Sequence, residues 1–502
     1  MLPANHTALL PDNLRDLYNL YEEHAAWYSG NPVMLSNVYY ARAVTPTPRG
    51  RFWAIEMRDE RRAMVHVPMA ADLARVSADL LFSEAPEITI PAATENNPEA
   101  QATQERLDLL ITKCSLQQRL SEAAETAAAL GGVFLKVNWD KSLSEFPIVS
   151  IVQPDYALPE FRWGKLYAVT FWTNLEVELE GVVWRLVERH EAGSILSGLY
   201  RGTAVNLGGQ VDLKQRADTA TIPPFVSTGY DRLMCVYVAN CLPNRRWRSL
   251  PFGRSDYDGL ESMMDSLDEA WTSWMRDLRL GAPRIFASDT LVDRDDNGNP
   301  VFSIDKEAYV LFNAAGVSSG AIDEQLVLKA FDIRAEEHSQ TCEALVRQII
   351  DRAGYSPSAF GMENGNVESG RALMVRERKG LQTAAKKGGY WQPVLEELCE
   401  IMLHVDRTHL FGTSAIMRPQ VTLQDSIQTT TYDMAETLDM LHRAQSVSTE
   451  IKVRMLHPDW QDAQVMEEVA RITDETAPPP MPDIEAFGNE EEPEEESEEA
   501  DA

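Results

Sequence analysis

Residues 255–281 read SDYDGLESMMDSLDEAWTSWMRDLRLG, and their periodicity sets the expected architecture of the chain. Tyr257, Leu260, Met264, Leu267, Trp271, Trp274 and Leu278 recur at alternating steps of three and four. That is the heptad seam of a helix packed on other helices, narrower than the stripe of a helix lying on a globular core. Ser255 is placed to cap the helix, with Asp258 three positions on, and Gly281 to close it. At 1.5 Å per residue such a helix reaches about 40 Å. Its partner is open at this point: a helix of the same chain or one of a neighbouring copy.

Residues 282–332 interrupt the helical pattern with short strands: PRIFAS, LVDR and PVFSID around a DDNGN turn, YVLF and QLVLKAF. The Asn-Gly pair between apolar alternations signals a hairpin. A second helix is predicted over 334–353, ending at Gly354, with Cys342, Leu345, Ile349 and Ala353 on one face. Long helix, small β insertion and returning helix make the pattern of a stalk with a knob at its end. Residues 355–370, YSPSAFGMENGNVESG, are too long and polar for a simple turn, and such loops are often functional. A third helical region follows over 368–410, which Gly388, Gly389 and Pro393 are expected to bend or break. Its first part concentrates positive charge: Arg371, Arg376, Arg378, Lys379, Lys386 and Lys387 against Glu377. Short helices are predicted at 429–446 and 461–473.

Ahead of the stalk, helices are predicted at 12–28 and 68–82, with EAPEITI as a strand. An Ala- and Leu-rich helix over 101–130 should stop at Gly131 and Gly132. Strands then follow at VFLKVNW, PIVSIVQP, KLYAVTFWTNLEV, VVWRLVERHE and ILSGLYRG. The first half is therefore mixed α and β, and the fold class is α+β.

The 502 residues include 78 acidic and 46 basic side chains, a formal net charge of −32. Affinity for nucleic acid comes from Lys and Arg neutralising phosphates, so tight phosphate-held binding is excluded. Thirteen acidic residues and no Lys or Arg fall in 474–502, which carries APPPMP and NEEEPEEESEEADA. That segment is expected to be a disordered acidic tail; without it the formal charge is −19. Cys114, Cys235, Cys241, Cys342 and Cys399 are scattered, without CxxC, which suits a reduced compartment. The N-terminus lacks the basic start and apolar run of a signal peptide, and no stretch has the length of a spanning helix, so a soluble, cytoplasmic protein without membrane contact is expected.

Chemistry-bearing motifs are missing. There is no GxxxxGK followed by Ser or Thr, no GxGxxG after a strand and no GxSxG, and His190–Glu191 lacks the second His of HExxH. Asp293, Asp295, Asn297 and Gly298 copy the opening of a Ca²⁺ loop, but its twelfth position is Ile304, where a bidentate carboxylate is needed. No catalytic residue, metal site or cofactor is assigned. The alternative class is an acidic metal-dependent hydrolase or nuclease, on carboxylates that spacing does not single out.

Five stretches carry a resemblance: HVPMAADLARVSADLLFSE, ALGGVFLKVNWD, PFGRSDYDGLESMMDSLDEAWTSWMRDLRLGAPRI, SPSAFGMENGNVESGRALMVRERKGLQTAAKKGGYWQPVLEEL and LHRAQSVSTEIKVRMLHPDW. In this order they resemble the portal proteins of long-tailed (siphovirus-type) bacteriophages, those of actinobacterial hosts in particular. The likeness covers residues 12 to 473. It implies the portal fold: a mixed α/β wing (1–254), two stem helices (255–281 and 334–354) and a small β-containing clip (282–333). It further implies a tunnel loop (355–368), a long wing helix with its connector (369–427) and a helical crown (428–473), with 474–502 as the tail. Such subunits form a closed homo-oligomeric ring, usually of twelve, at one capsid vertex of the virion, assembled in the host cytoplasm. The ring surrounds a channel for packaging and ejecting double-stranded DNA. It meets terminase, head-tail adaptor, major capsid and scaffolding proteins.

The resemblance also implies roles by position. Met362, Glu363, Asn364, Asn366 and Val367 would face the DNA channel, and the seam from Tyr257 to Leu278 would be the subunit interface. Asp295, Asp296 and Asn297 would lie where partners dock on the clip. The basic island at 371–387 has two readings, contact with DNA or pairing with the acidic surface of an adjacent subunit.

Overall fold

The computed structural model describes residues 1–42, 51–54, 64–95, 97–280, 284–287, 293–294, 300–301, 326–329, 333–362, 370–410, 412–423, 431–457, 460 and 462–476. Helix and sheet are mixed through the chain, as an α+β protein. The chain divides into two units, Met1–Asn366 with Met374–Ser426, and Val367–Leu373 with Ile427–Ala502.

The first unit opens with α1 (Arg15–Ser29), α2 (Pro32–Arg42) and α3 (Met69–Phe82), then β1 (Glu87–Thr89), α4 (Pro98–Lys113) and α5 (Leu116–Leu130). The long helix expected over 101–130 is two helices. Ser115 adopts a left-handed φ of +52 between them, which no continuous helix accommodates. Helix α2 escaped the periodicity because its apolar residues form no clear stripe. Gly131, at φ +90, ends α5, as expected.

Strands β2 (Gly132–Asn138) and β3 (Ile148–Val152) follow, then β4 (Ala157–Arg162), β5 (Lys165–Val177), β6 (Val183–Glu191), β7 (Ser194–Gly202), β8 (Gly209–Val211), β9 (Phe225–Ser227) and β10 (Cys235–Ala239). They make two antiparallel sheets, one ordered β10-β2-β3 and one β4-β5-β6-β7-β8 with β9 also on β7. Helix α5 packs on β2 and on α3, burying Leu120, Ala123, Ala124 and Ala127. The small alanines let helix and sheet approach closely.

Helix α6 (Glu261–Leu280) leads to the paired strands β11 (Arg284–Ala287) and, after β12 (Asp293–Arg294) and β13 (Pro300–Val301), β14 (Leu326–Lys329). Strands β12 and β13 pair antiparallel, as the Asn-Gly turn between them predicts. The YVLF strand and the docking positions Asp295, Asp296 and Asn297 lie outside the described residues. Helix α7 (Ala335–Ala353) returns and closes at Gly354, φ +99.

Helix α8 (Gly370–His409) runs over 40 residues with Pro393 inside it, so of the expected bend or break at Gly388, Gly389 and Pro393 the break does not occur. An interior proline costs about 3 kcal/mol. The half of α8 that carries it buries Trp391, Leu395, Leu398, Ile401, Met402, Leu403 and Val405 in the core, and burial at about 1.5–3 kcal/mol per large side chain outweighs that cost. Arg106 of α4 clamps the far end of α8, donating from Nε and Nη2 to the two carboxylate oxygens of buried Asp406 at 2.9 and 2.7 Å. Strand β15 (Gln420–Thr422) then pairs with β1.

The second unit holds α9 (Thr431–Arg443), α10 (Thr449–Leu456) and α11 (Asp462–Thr476). Helix α10, unforeseen, begins where the Ser448 hydroxyl accepts from the Ile451 N–H. Helix α11 runs through Asp474 to Thr476, so the first three positions assigned to the tail are helical; the rest of the tail lies outside the described residues.

A buried histidine gives this fold a pH dependence. His190 in β6 sits edge-on to Phe171 with centroids 5.2 Å apart, and neither ring nitrogen has a hydrogen-bond partner among the described residues. Burial, helped by the nearby Lys136 charge and opposed by Glu188, pulls its pKa down to about 3. The folded state holds the ring neutral while the unfolded chain protonates it below about 6.5. Stability is therefore full above that pH and falls by up to about 1.4 kcal/mol per unit between 6.5 and about 3. His190→Leu should flatten this part of the acid limb in urea unfolding measured from pH 7 to pH 4.

Candidate functional site: the stalk helices and their base

Helix α6 starts at Glu261, six residues later than the sequence suggested. Gly259 at φ +86 breaks the backbone, and Ser255 caps a turn and not the helix: its Oγ accepts from the Tyr257 N–H and its hydroxyl donates to the Ala128 carbonyl, while Asp256 N–H donates to the same oxygen. Residues 255–260 are instead a turn fastened to the end of α5. Helices α6 and α7 run antiparallel. Near their free ends Asp277 accepts from Arg334 at 2.8 Å and meets His338 Nε2 at 2.9 Å, and His338 stacks on Trp274. These two partners hold the Asp277 carboxyl below its usual range.

The seam divides. Tyr257, Leu260, Met264 and Leu267 are buried in this chain's own core with Trp27, Leu35, Leu73, Cys342, Ile349 and Ile350. They leave no surface for a neighbour, which corrects the expectation that all seven positions face an adjacent subunit. Trp271 and Trp274 are half-buried with their ring centroids 5.0 Å apart and their planes tilted by 31°, and Leu278 is 40% exposed. Leu280 and Ile333, which the seam did not include, are exposed beside it. From Asp268 outward α6 continues for 13 residues, about 20 Å, with α7 as its packed partner among the described residues.

A second stripe on α6 went unnoticed. Glu261, Asp265, Asp268 and Thr272 each follow a seam residue by one position, so they lie about 100° round the helix beside it. Asp268, wholly buried, accepts from the Val67 N–H at 2.8 Å and the Trp53 indole N–H at 2.9 Å, and meets His66 Nδ1 at 2.7 Å. Asp265 accepts from the Phe52 N–H, and burial raises its pKa. Thr272 Oγ1 accepts from the Val65 N–H at 2.9 Å. These acids anchor residues 51–54 and 64–67 to the stalk. Their spacing of four, three and four could have revealed them, had acids been sought at helical period.

Glu261, Asp258 and His24 bring one ligand atom each within 4.8 Å of one another, which is the arrangement an acidic metalloenzyme would need. His24 Nε2 already lies 3.1 Å from Glu261 Oε1, and the Arg246 guanidinium stands 3.3 Å from Asp258 Oδ1, where a cation would sit. Burial raises the Glu261 pKa, but the His24 hydrogen bond and charge outweigh it and hold the carboxyl at about 2. The cluster is charge-compensated from within the chain.

At the base of the stalk one lysine of the basic island turns inward. Lys387 is 1% exposed, and its ammonium donates to both oxygens of Asp256 at 2.7 and 2.6 Å, to Ser77 Oγ at 2.6 Å and to Tyr355 Oη at 3.1 Å. Tyr355 Oη in turn donates to Asp256 at 2.7 Å, and Asn240 Nδ2 donates to it at 2.8 Å. Burial drives the Tyr355 pKa well up. One ammonium thus joins α8 and α3 to both feet of the stalk, since Asp256 stands five residues before α6 and Tyr355 two after α7. Lys386 donates to the Leu242 carbonyl, and Lys379 to the Asp351 carboxylate and carbonyl. Intrachain pairing is a reading of this island that charge counting did not offer; Arg378, Lys379 and Lys386 stand exposed, and the side chains of Arg371 and Arg376 lie outside the described residues. Of the channel positions, Met362 packs half-buried against the core, whereas Glu363, Asn364, Asn366 and Val367 also lie outside them.

No protein-family model matches the chain, and no curated protein matches it. Solved structures to which it is similar include a chain of the virion of the native gene transfer agent (GTA) particle, at 11% identity and a TM-score of 0.38, covering 90% of this chain and 96% of that one. Another belongs to the neck of the native GTA particle computed with C12 symmetry, at 11% identity and a TM-score of 0.40, with the same coverage. No described helix is long and apolar enough to cross a membrane.

Proposed function

We propose that this chain is a portal-type subunit: a non-enzymatic member of a closed ring at a capsid vertex, surrounding a channel for double-stranded DNA. The observation that carries it is the stalk. Two antiparallel helices leave the core at Leu267 and Ile349, continue into the β11–β14 ribbon, and are followed by the 355–370 stretch and the 40-residue α8. This is the order of stem, clip, stem, tunnel loop and wing helix that the sequence resemblance implies. A two-helix stalk with Leu278, Leu280 and Ile333 exposed needs lateral neighbours, because short isolated helices are marginal in water. Copies of the same stalk around a rotation axis supply them through one repeated heterologous contact.

In this reading the clip receives terminase and the head-tail adaptor, the outer wing meets capsid and scaffolding proteins, and residues 362–367 approach the DNA. The acidity suits a conduit, since a wall that offers few cations does not hold a polyanion.

Negatively stained images and native mass spectra of the purified chain test the ring. Particles with a central hole are expected, near 0.68 MDa for about twelve copies of the 56.3 kDa chain. A compact monomer or dimer with Mg²⁺- or Mn²⁺-stimulated hydrolysis would instead support the hydrolase alternative. Deleting 362–367 should spare the ring and lower in vitro packaging; unchanged packaging would remove that loop from the channel.

A further inference from the structure

The β4–β5 hairpin ends in a residue that serves neither core nor stalk. Its two-residue turn, Trp163–Gly164, joins Arg162 to its cross-strand partner Lys165. Trp163 has φ +49 and Gly164 φ +79. Two left-handed residues are what a type I′ turn demands; Asn-Gly meets that demand without strain, and a bulky first residue is an outlier. The same indole is 102% exposed. Strained and fully hydrated, it contributes nothing to the stability of its own chain, while Trp, Tyr and Arg are the residues that most often anchor protein interfaces. Arg162 stacks on Tyr167, its guanidinium carbon 3.6 Å from the ring centroid. The tip is therefore a stiff aromatic knob with Arg162 and Lys165 at its sides, locally positive on a chain of net charge −32.

A cleft of matching character lies on the same unit, between α4 and residues 412–415. Its volume is about 550 Å³, with apolar walls from Ala102, Leu109 and Ala415 and with Glu99 and Glu105 among its lining residues. Leu109 is 38% exposed. Arg106, the cation of the cleft, is committed to Asp406, so neither Glu99 nor Glu105 is ion-paired among the described residues.

We propose that the Trp163 knob of one copy seats in the Glu99–Glu105 cleft of the next copy. The ring then lies against Leu109 and Ala102, and Arg162 and Lys165 meet Glu99 and Glu105. Knob and cleft are different surfaces of one chain, so the contact is heterologous and repeats around a closed ring. This inference rests on the ring reading above and adds to it a contact in the wing, away from the stalk.

The test is the double variant Trp163→Cys with Leu109→Cys, oxidised as the purified full chain. A ladder of disulfide-linked multimers is expected, absent from either single variant. Trp163→Ser should separately raise the concentration at which rings dissociate in native mass spectra by at least tenfold. Intact rings with no ladder overturn the inference and leave the ring reading standing. A wild-type chain that stays monomeric overturns the ring reading; a ladder from its double-cysteine variant still supports the knob contact, and no ladder from that variant overturns both.

Discussion

Lys387→Met is expected to destabilise the fold by about 3–5 kcal/mol, the cost of leaving one partner of a buried ion pair uncompensated. The ammonium is the group at this junction that neutralises Asp256, which is itself 1% exposed. Methionine keeps most of the volume of the lysine stem, so lost packing is a minor part of the effect. Asn240 and Tyr355 would still donate to the carboxylate, but neither carries charge. Adding Asp256→Asn to Lys387→Met should therefore restore more than half of the loss, because a neutral amide requires no counter-charge. Guanidinium unfolding of the three variants beside the parent chain measures both terms. A Lys387→Met midpoint within about 1 kcal/mol of the parent would mean that water reaches the site and that the pair does not hold the stalk.

Trp271→Asp or Trp274→Asp is expected to abolish ring formation while leaving a folded subunit. Both indoles lie outside the buried half of the seam, on the part of α6 that α7 covers on one side, and a carboxylate there opposes close apolar contact with a neighbouring stalk. Trp274 also stacks on His338 within the chain, so its loss could loosen the hairpin itself. Leu278→Glu separates the two effects, since Leu278 is 40% exposed and its side chain makes no core contact. Rings lost in Leu278→Glu as well, with far-ultraviolet circular dichroism unchanged, locate the contact on the outer stalk. Rings intact in all three variants place the interface elsewhere on the chain.

Much of the fold was legible. The strand KLYAVTFWTNLEV matches β5 residue for residue, and α3, α7, Gly131 and Gly354 fall where the pattern put them, because apolar period and glycine φ are local properties. The misses have physical causes. Ser115 in a left-handed turn looks helical in any window average, and a 40-residue helix survives Pro393 because of what its face buries, which no local propensity records.

The candidate site divides in the same way. The seam was visible as spacing, but spacing cannot say which partner fills it. Leu267 and Trp271 are four residues apart on one face, yet the first meets Ile349 and its neighbours in the core and the second stands half-open. The basic island was counted correctly as charge, and one member of it, Lys387, lies in the core while Arg378, Lys379 and Lys386 stand at the surface. Lys387 reads like any solvated lysine until Asp256, Tyr355 and Ser77, brought from 131, 32 and 310 residues away, close round it.

The amino-acid sequence alone determined the order of elements, the stalk-and-insertion pattern, the acidity and the missing enzyme motifs, since each follows from residue type and period. Tertiary structure decided which charges are buried, which half of the seam faces inward and which aromatic is left in water. Burial and pairing depend on segments hundreds of residues apart meeting in space, and no local pattern carries that information.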